Sequence, residues 1–411
     1  MRITYIHQYF VTRSMPGGTR SYEQARRLVD AGHEVHVITT DSDATELSLR
    51  WRTTQEDGIT VHWLPAPYSN TMSFARRIIA FFQFALFATI KATRIGGDVV
   101  LATSTPLTVA VPGVIAAKLR RARFVFEVRD LWPELPIEIG ALRNPVARRL
   151  AFALARFAYR NADRVIALSP GMKDGVVAQG YPAESVVVVP NACDLDLFAT
   201  DDSAAAEFRA ARPWLQDRPL VTYVGTFGLI NGVGYLVRLA ARVAEIDPEV
   251  RFMLVGDGAE RDEVVALARE LGVLDRSVFV VPPVTKAEVP TILSAATVAT
   301  SMFLPLPGMA ANSANKFFDA LAAGRPIAIN YGGWQAPILQ ESGAGVVLDP
   351  SDLDLAAKDL VARVRDDRWL AEARRAARML ATTRFSRDTL FDAFSEAVTG
   401  ERSARQRAGA R

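Results

Sequence analysis

Short apolar runs alternate with longer amphipathic stretches in the first half of the chain. The runs are rich in Val, Ile and Phe, which is typical of strands buried on both faces. They lie at residues 2–6, 34–39, 59–64, 98–102, 123–127, 164–168 and 186–189. Helical patterns separate most of them, as at residues 21–31, 106–119 and 146–160. This alternation predicts a parallel sheet with helices on both faces.

The same alternation restarts in the second half. A strand-like run at residues 220–224 is followed by a glycine-bearing turn and a helical pattern from 232 to 244. Further strand-like runs lie at residues 251–255, 277–281, 297–301, 327–330 and 345–348. The sequence therefore predicts an α/β chain of two doubly wound, Rossmann-like parallel-sheet domains. We expect their strand-to-helix loops to face each other across a cleft.

Chain length and a polar joint set the domain boundaries. A length of 411 residues suits two domains of ordinary size. We place the N-terminal domain at residues 1–192 and the C-terminal domain at 219–384, with a polar linker at 193–218 between them. A final helix at 385–399 could fold back onto the first domain. We expect the arginine-rich tail at 400–411 to be disordered.

The composition is that of a packed globular protein with a basic balance. Half of the residues are hydrophobic, the formal net charge is +3 and the pI is about 9.0. This balance permits contact with phosphates or with an anionic membrane surface, and we predict no nucleic-acid partner. The single cysteine, Cys193, excludes an intramolecular disulfide and favours a reducing compartment. The strand-like start leaves no room for a signal peptide, so we expect a cytoplasmic protein.

The segment from Asn312 to Pro326 is the strongest candidate for binding chemistry. Small and amide residues lead into a helix that carries Lys316 and Asp319 in its first turns. A helix N-terminus offers unpaired N–H groups to an anion, Lys316 adds a positive charge, and Asp319 adds an acceptor pair suited to a sugar diol. The segment therefore favours the binding of a nucleotide diphosphate as its function. The alternative is a capped helix whose Lys and Asp are merely solvated.

Three glycine-bearing loops follow predicted strands. Gly17 and Gly18 let the backbone approach a ligand closely, although a simple turn would look the same. The loop at residues 225–232, with Gly228 and Asn231, is a plausible phosphate cradle but contains no Lys or Arg. Its positive charge must come from elsewhere, and Lys316 is the strong candidate. Asp257, in the third loop, could cap a helix or touch a ligand.

Ionisable residues also follow the strand at 123–127. Arg129 and Asp130 come directly after it, in a stretch that continues with a tryptophan. A carboxylate there could orient or deprotonate an acceptor hydroxyl. A structural salt bridge from Arg129 is the alternative.

Metal chemistry has little support in the sequence. The four histidines and single cysteine show no metal-ligand spacing. Asp-x-Asp pairs at 41/43, 194/196 and 352/354 lie in segments predicted as turns or linkers. We predict no metal requirement.

Taken in order, these motifs resemble the GT-B glycosyltransferases of family GT4, and within it the WbuB-like transferases of bacterial surface polysaccharide (O-antigen) synthesis. The resemblance covers nearly the whole chain and rests on the segments at residues 17–18, 127–133, 190–198, 225–232, 256–258 and 312–326. It implies a hexosyltransferase-type enzyme that uses a nucleotide-diphosphate sugar, with UDP as the expected nucleotide. The donor would be held mainly by the second domain and the acceptor by the first. It also implies retention of configuration without a metal or cofactor, the nucleotide-sugar being a co-substrate.

The sequence departs from the family pattern at three places. Ala311 stands at the first position of the common Glu-x7-Glu motif, and Asp319 stands at the second. Asn231 lies near the position of a usual lysine, and WbuB-like members use the lysine that matches Lys316 instead. Many relatives place a histidine where this chain has Arg129 and Asp130.

A coherent site follows from the resemblance. Lys316, with the amides near Asn315 and Gly228, would meet the charge that develops on the leaving diphosphate. Gly17 and Gly18 would approach from the other domain, so that closure excludes water. The predicted catalytic residues are Asp130, Arg129 and Lys316. The predicted donor-binding residues are Gly17, Gly18, Gly228, Asn231, Asp257, Asn315, Lys316 and Asp319.

Residues 78–90 suggest contact with lipid. The stretch is apolar on nearly every side, is flanked by Arg and Lys, and is too short at 13 residues to span a bilayer. On a helical wheel, Arg149, Arg156 and Arg160 share a face beside an apolar stripe. A buried helix would look similar. We expect a peripheral enzyme at the inner face of the cell membrane, with a glycan or polyprenyl-diphosphate-linked acceptor.

Two other functions compete with a transferase. A nucleotide-sugar epimerase or hydrolase with the same domain plan would need more acid and base residues than four scattered histidines suggest. A non-catalytic scaffold would explain the missing family residues. A nicotinamide oxidoreductase is disfavoured, because neither half carries the dinucleotide fingerprint.

Overall fold

The chain folds into two compact units. The computed structural model describes residues 1–48, 50–67, 72, 74–199 and 202–401. Met1–Thr12, Thr19–Pro190 and the described residues from Leu390 onward form the first unit. Arg13–Gly18 and Asn191–Thr389 form the second. The tail that we expected to be disordered lies outside the described residues from 402 onward.

The first unit is built on an eight-stranded sheet in the order β3-β4-β2-β1-β5-β6-β7-β8. Its strands pair in parallel, except that β3 runs antiparallel to β4. The strands are β1 (Arg2–Ile6), β2 (Glu34–Asp41), β3 (Arg52–Glu56), β4 (Ile59–Pro65), β5 (Val99–Thr103), β6 (Arg123–Val128), β7 (Arg164–Ala167) and β8 (Val186–Val188). The predicted parallel sheet is confirmed. The strand missed by the prediction, β3, is a polar edge strand without an apolar run.

Six helices lie between these strands. They are α1 (Arg20–Asp30), α2 (Phe74–Ile95), α3 (Ala110–Arg120), α4 (Glu134–Glu138), α5 (Pro145–Asn161) and α6 (Pro170–Ala178). Helix α2 is longer than the apolar stretch at 78–90 that predicted it. Its 22 residues are enough to cross a bilayer by length, which corrects the expectation drawn from 13 residues.

The second unit repeats the plan with six parallel strands in the order β11-β10-β9-β12-β13-β14. This is the doubly wound order, and the direction of winding reverses between β9 and β12. The strands are β9 (Leu220–Val224), β10 (Arg251–Val255), β11 (Val278–Val281), β12 (Val298–Ser301), β13 (Ile327–Ile329) and β14 (Gly345–Val347). All six were predicted from apolar runs.

Nine helices follow in the second half of the described chain. They are α7 (Asp202–Ala210), α8 (Val233–Ile246), α9 (Arg261–Glu270), α10 (Val289–Ala295), α11 (Asn315–Ala322), α12 (Gln335–Ser342), α13 (Leu353–Val364), α14 (Asp367–Thr383) and α15 (Arg387–Thr399). Helix α15 begins in the second unit and continues into the first from Leu390. In the first unit, Arg123 donates to the carbonyl oxygen of Ala397 at 3.2 Å.

The segment predicted as a polar linker is part of the second unit. Helix α7 packs against α10, and Leu215 is fully buried in an apolar cluster. Asp194 forms a buried ion pair with Arg387, whose Nη2 lies 2.9 Å from Oδ2. The polar composition of the segment gave no sign of these packing contacts or of the buried ion pair. Residues 200 and 201 lie outside the described part.

A buried ion pair ties the first unit together. Arg20 on α1 donates to the Glu127 carboxylate on β6 at 2.9 Å, and neither side chain is exposed. Arg20 also donates to the carbonyl oxygen of Val189 at 2.9 Å, while Thr103 donates to Glu127 at 2.6 Å. Burial raises the pKa of Glu127, but the charges of Arg20 and Arg129 and the hydrogen bond from Thr103 together outweigh it, so the net pKa lies below its usual range.

Removing Arg20 should destabilise the first unit strongly. We expect Arg20→Met to lower the free energy of unfolding by about 3–5 kcal/mol, because an uncompensated carboxylate remains buried. Urea unfolding followed by circular dichroism measures this change. The matched control is Arg2→Met, whose ion pair with Glu34 is about half exposed on both sides. An equal effect of the two substitutions would contradict the assignment.

Candidate active site

The loops at the winding reversal of the second sheet form the best-defined site. Ligands of doubly wound sheets bind outside the carboxyl ends of the strands at such a reversal. Here residues 225–232 follow β9, and residues 302–314 lead from β12 to α11. The two loops meet, since the Leu304 N–H donates to the Ile230 carbonyl oxygen at 3.0 Å.

Lys316 lies in a cradle made by the loop after β9. Its Nζ donates to Asn231 Oδ1 at 3.2 Å and lies 5.1 Å from the centroid of the Tyr223 ring. The Phe303 ring is 6.0 Å away, so the ammonium has two aromatic neighbours. A Cβ at position 225 would overlap the Lys316 side chain, which explains why a glycine stands there. The sequence placed Gly228, Asn231 and Lys316 in one site, and the structure brings Asn231 and Lys316 together.

The ammonium of Lys316 is available to a ligand. Burial lowers the pKa of Lys316 to about 8, with Asp319 acting in the opposite direction. Within the ranges that the structure describes, no carboxylate forms an ion pair with Lys316. An ammonium has three protons, and Asn231 accepts one of them. The cradle can therefore bind an anion. The alternative of a merely solvated lysine does not describe Lys316, because the residue is half-buried.

The Asp319 carboxylate is already engaged. Both of its oxygens accept from Lys286 Nζ, at 2.6 and 2.7 Å, and both side chains are largely buried. Burial raises the pKa of Asp319, and the Lys286 charge acts against this rise. In this structure an internal ion pair takes the acceptor pair that we expected to meet a sugar diol. Lys286 lies far from Asp319 in sequence, so no local motif could have revealed the pairing.

The loop with Gly17 and Gly18 groups with the second unit, whereas we had assigned it to the first. The Lys286 N–H donates to the Met15 carbonyl oxygen at 3.3 Å, and Arg13 forms a 2.8 Å ion pair with Asp196. These contacts are non-local and could not be read from the loop itself.

The remaining predicted donor-binding residues lie in the same set of loops. Gly228 accepts the Asn231 N–H through its carbonyl oxygen at 2.9 Å, and Asn315 is the first residue of α11. The exposed Asp257 accepts the Gly258 N–H at 2.8 Å. It does not cap α9, because Glu260 occupies the N-cap position. Asp257 therefore keeps one carboxylate oxygen available to other groups.

A second polar cluster lies at the corresponding reversal of the first sheet, between β1 and β5. Arg129 Nη1 lies 3.1 Å from His7 Nε2, and the Arg129 N–H donates to Ser104 Oγ at 2.9 Å. Thr105 Oγ1 donates to Asp130 Oδ2 at 3.1 Å. Thr105 has φ 88°, a conformation that β-branched residues rarely adopt, and such outliers concentrate at functional sites.

The shifted pKa values of His7 and Asp130 are of a kind that proton transfer requires. Burial, together with the Arg129 charge, holds the pKa of His7 well below its usual range, so the ring is neutral and Nε2 accepts from Arg129. Burial raises the pKa of Asp130 against the opposing Arg129 charge. The sequence offered a structural salt bridge from Arg129 as the alternative to a catalytic role. In the structure the Arg129 guanidinium contacts the His7 ring instead. His7, which the site prediction missed, follows β1 at a strand end, and that position was the available signal.

The described residues contain few groups that could bind a metal or act as a nucleophile. No group of three or more His, Cys, Asp or Glu there could hold a metal ion. The lone thiol of Cys193 is buried and donates to the Phe318 carbonyl oxygen at 3.2 Å. Burial raises the pKa of this thiol well above its usual range, which does not suit a nucleophile.

The cradle can be tested through the pKa of Lys316. The chain has six lysines, so NMR of ¹³C-methylated lysines gives a simple spectrum, and Lys316→Met assigns the signal. We expect a Lys316 pKa of about 8, so that affinity for an anion falls as pH rises through that value. In Gly225→Ala the new methyl group should displace the side chain and return its pKa towards the free-lysine value of about 10.4.

The matched control for this experiment is Gly332→Ala. A Cβ at position 332 meets no atom within 4 Å. We expect the control to leave the Lys316 signal unchanged. An unshifted signal in Gly225→Ala would show that the cradle does not hold the ammonium.

Comparison with known proteins agrees with this architecture. Residues 17–192 match the glycosyl transferase 4-like domain, and residues 218–366 match the glycosyl transferases group 1. Together these matches cover most of both units.

Individual relatives are distant in sequence. The chain is 25% identical over 278 residues to the putative colanic acid biosynthesis glycosyl transferase WcaI of Escherichia coli (strain K12), covering 64% of this chain and 67% of WcaI. It is 26% identical over 372 residues to a GDP-mannose-dependent alpha-mannosyltransferase of Mycobacterium tuberculosis, covering 90% and 89%. The structure of Anabaena HepE in complex with UDP and glucose shares the fold with a TM-score of 0.71, at 19% identity over 98% of this chain and 100% of HepE. The chain therefore belongs to the GT-B glycosyltransferases of family GT4.

Proposed function

We propose that the protein transfers a sugar from a UDP-sugar, with retention and without a metal, to a lipid-linked glycan acceptor in cell-surface polysaccharide synthesis. The acceptor carrier would be a polyprenyl diphosphate, and the enzyme would work at the inner face of the cytoplasmic membrane. The observation that carries the proposal is the Lys316 ammonium at the winding reversal of the second sheet. It is partly desolvated and has no carboxylate partner among the described residues.

The second unit supplies the donor chemistry in this proposal. When the bond from the anomeric carbon to the diphosphate oxygen breaks, negative charge grows on the leaving diphosphate. The Lys316 ammonium would neutralise that charge, while Asn231 orients the ammonium through its amide oxygen. The first N–H groups of α11 would add donors that need no reorganisation. A fixed cation in a partly desolvated cradle favours the transition state over the less charged ground state.

The first unit supplies the acceptor chemistry. Asp130 follows β6, and its raised pKa brings it closer to the range in which a carboxylate can take a proton from a hydroxyl. Thr105 orients one oxygen of Asp130 through a hydrogen bond. Arg129 precedes Asp130 in the sequence, and its guanidinium contacts His7. We assign Asp130 to the attacking acceptor hydroxyl and Arg129 to the orientation of the neutral His7.

The comparisons support the class of reaction more strongly than the donor. WcaI is named for colanic acid biosynthesis, which favours a polysaccharide product. The Mycobacterium tuberculosis relative is named for GDP-mannose, whereas HepE was solved with UDP and glucose.

UDP is our proposal for the donor nucleotide, and a thermal-shift screen of UDP-, GDP- and dTDP-sugars tests it. A ligand that binds the folded chain raises its melting temperature. Full activity after chelation tests the proposed independence from metal.

Loss of Lys316 should abolish transfer without unfolding the protein. We expect Lys316→Met to lower kcat by about 10²–10³-fold, the cost of removing one group that stabilises transition-state charge. Product analysis by mass spectrometry, with and without acceptor, measures transfer and distinguishes it from hydrolysis or epimerisation. Lys358→Met, at an exposed position on α13, is the matched control. Unchanged turnover in Lys316→Met would move the donor site elsewhere.

Loss of the Asp130 carboxylate should affect a different step. We expect Asp130→Asn to lower kcat by at least about 10²-fold, as for a general base, while the thermal shift produced by donor stays the same. The control is Asp174→Asn, at an exposed position on α6 of the same unit. A variant that loses the donor-induced shift would place Asp130 in donor binding and refute the assignment.

A further inference from the structure

Three neighbouring helices form one side of the first unit. Helix α3 packs against both α2 and α5, and α2 also packs against β1 and β2. The inner face of α2 is fully or nearly buried at Phe84, Ala88 and Ala92. These contacts fix α2 as a surface helix of the folded unit.

The outer face of α2 is apolar. Ile79, Phe82, Leu86 and Ile90 are 56%, 63%, 59% and 43% exposed, and their spacing places them in one stripe along the helix. The exposed Arg76 and Arg94 continue the same spacing at the two ends of the stripe. A soluble monomer rarely leaves such a stripe uncovered.

Helix α3, which packs against α2, and helix α5, which packs against α3, also expose large apolar side chains. Leu119 on α3 is 66% exposed, and Leu150 on α5 is 65% exposed. The outer helical face consists of the exposed apolar residues Ile79, Phe82, Leu86, Ile90, Ile115, Leu119, Val146, Leu150 and Phe157. The arginines that we expected on one face of α5, at 149, 156 and 160, are all exposed beside it.

The charge on these helices has one sign. Four basic residues lie on α2, two on α3 and four on α5, and none of the three helices contains an Asp or Glu. A second copy of the chain would bring the same cations into opposition. An anionic surface would instead be attracted, at about 1 kcal/mol for each cation near it. Charge complementarity therefore selects an anionic partner.

A pocket at the end of the stripe combines cations with apolar walls. It has a volume of about 410 Å³ and is lined by Trp51, Phe87, Ile90, Lys91, Arg94 and Ile95. The Lys91 ammonium lies 5.3 Å from the centroid of the Trp51 ring. Neither Lys91 nor Arg94 forms an ion pair with a carboxylate in the described ranges. Two such cations beside apolar walls match a phosphate attached to an acyl chain.

We propose that the outer helical face docks onto a bilayer of anionic phospholipids, with its apolar side chains among the acyl chains and a lipid phosphate between Lys91 and Arg94. Helix α2 is the one described helix with the length and hydropathy of a membrane span, but its inner face is committed to β1, β2 and α3. It therefore lies in the interface rather than crossing it. The docking is independent of the transfer reaction, and it gives the proposed lipid-linked acceptor a route to the enzyme.

Vesicle flotation tests the docking with the full chain. We expect binding to phosphatidylglycerol-containing vesicles at low salt, and at least about tenfold weaker binding to pure phosphatidylcholine or at high salt. Phe82→Ser with Leu86→Ser, and separately Lys91→Glu with Arg94→Glu, should each weaken binding at least about tenfold. The matched control is Leu355→Ser with Met379→Ser, which changes two exposed apolar residues of the second unit.

Several outcomes would overturn the docking proposal. These are no binding of the wild type at low salt, equal binding to uncharged vesicles, or unchanged binding of either double variant. A wild-type dimer in light scattering that Phe82→Ser with Leu86→Ser dissociates would identify a second copy as the occupant. Circular dichroism confirms that each variant is folded. Transfer to a lipid-free acceptor should survive in both double variants, so failed docking and a failed transferase assignment are distinguishable.

Discussion

The constraint on which the proposed donor site depends is the partial burial of one positive charge. The pKa of Lys316, lowered by burial, lies below that of a lysine in the unfolded chain. At pH values between these two pKa values, the unfolded chain binds the lysine proton more tightly than the folded chain does, so the free energy of unfolding rises with pH. At neutral pH the lysine is charged in both states, and the folded chain carries the full cost of desolvating the ammonium. The Tyr223 ring and the Asn231 amide offset part of that cost, and Gly225 leaves the room the side chain needs. A bound anion would offset more of that cost.

Three buried ion pairs among the described residues show the opposite arrangement, in which each charge is neutralised within the fold. Arg20 and Glu127 join α1 to β6, Lys286 and Asp319 join α11 to the loop before α10, and Asp194 and Arg387 hold α15 to the former linker segment. Each pair links parts of the chain that are distant in sequence. Lys316 differs because its cradle offers rings and an amide rather than a carboxylate. The contrast separates the charges that fix the fold from the charge that is left for a ligand.

The sequence predicts the sheets well because each buried parallel strand must be apolar on both faces. It missed β3, which is a polar edge strand, and it underestimated α2, whose basic ends are part of the helix. The cradle was partly predictable, since a glycine loop without cations required a lysine from elsewhere. The partners of Asp319 and of the Gly17 loop could not be predicted, because Lys286 reaches them through the fold and not through any local spacing. His7 was visible at a strand end, but its contact with Arg129 was not.

The distribution of charge carries more information than its sum. A formal net charge of +3 suggests a nearly neutral molecule. Yet the charged residues of α2, α3 and α5 are all basic, whereas α9, α13 and α14 of the second unit carry charges of both signs. The three basic helices expose nine large apolar side chains. An anionic interface would attract this face of the first unit, and the mixed-charge helices of the second unit offer it no comparable face. The same asymmetry would orient the first unit at a membrane through its basic, apolar face.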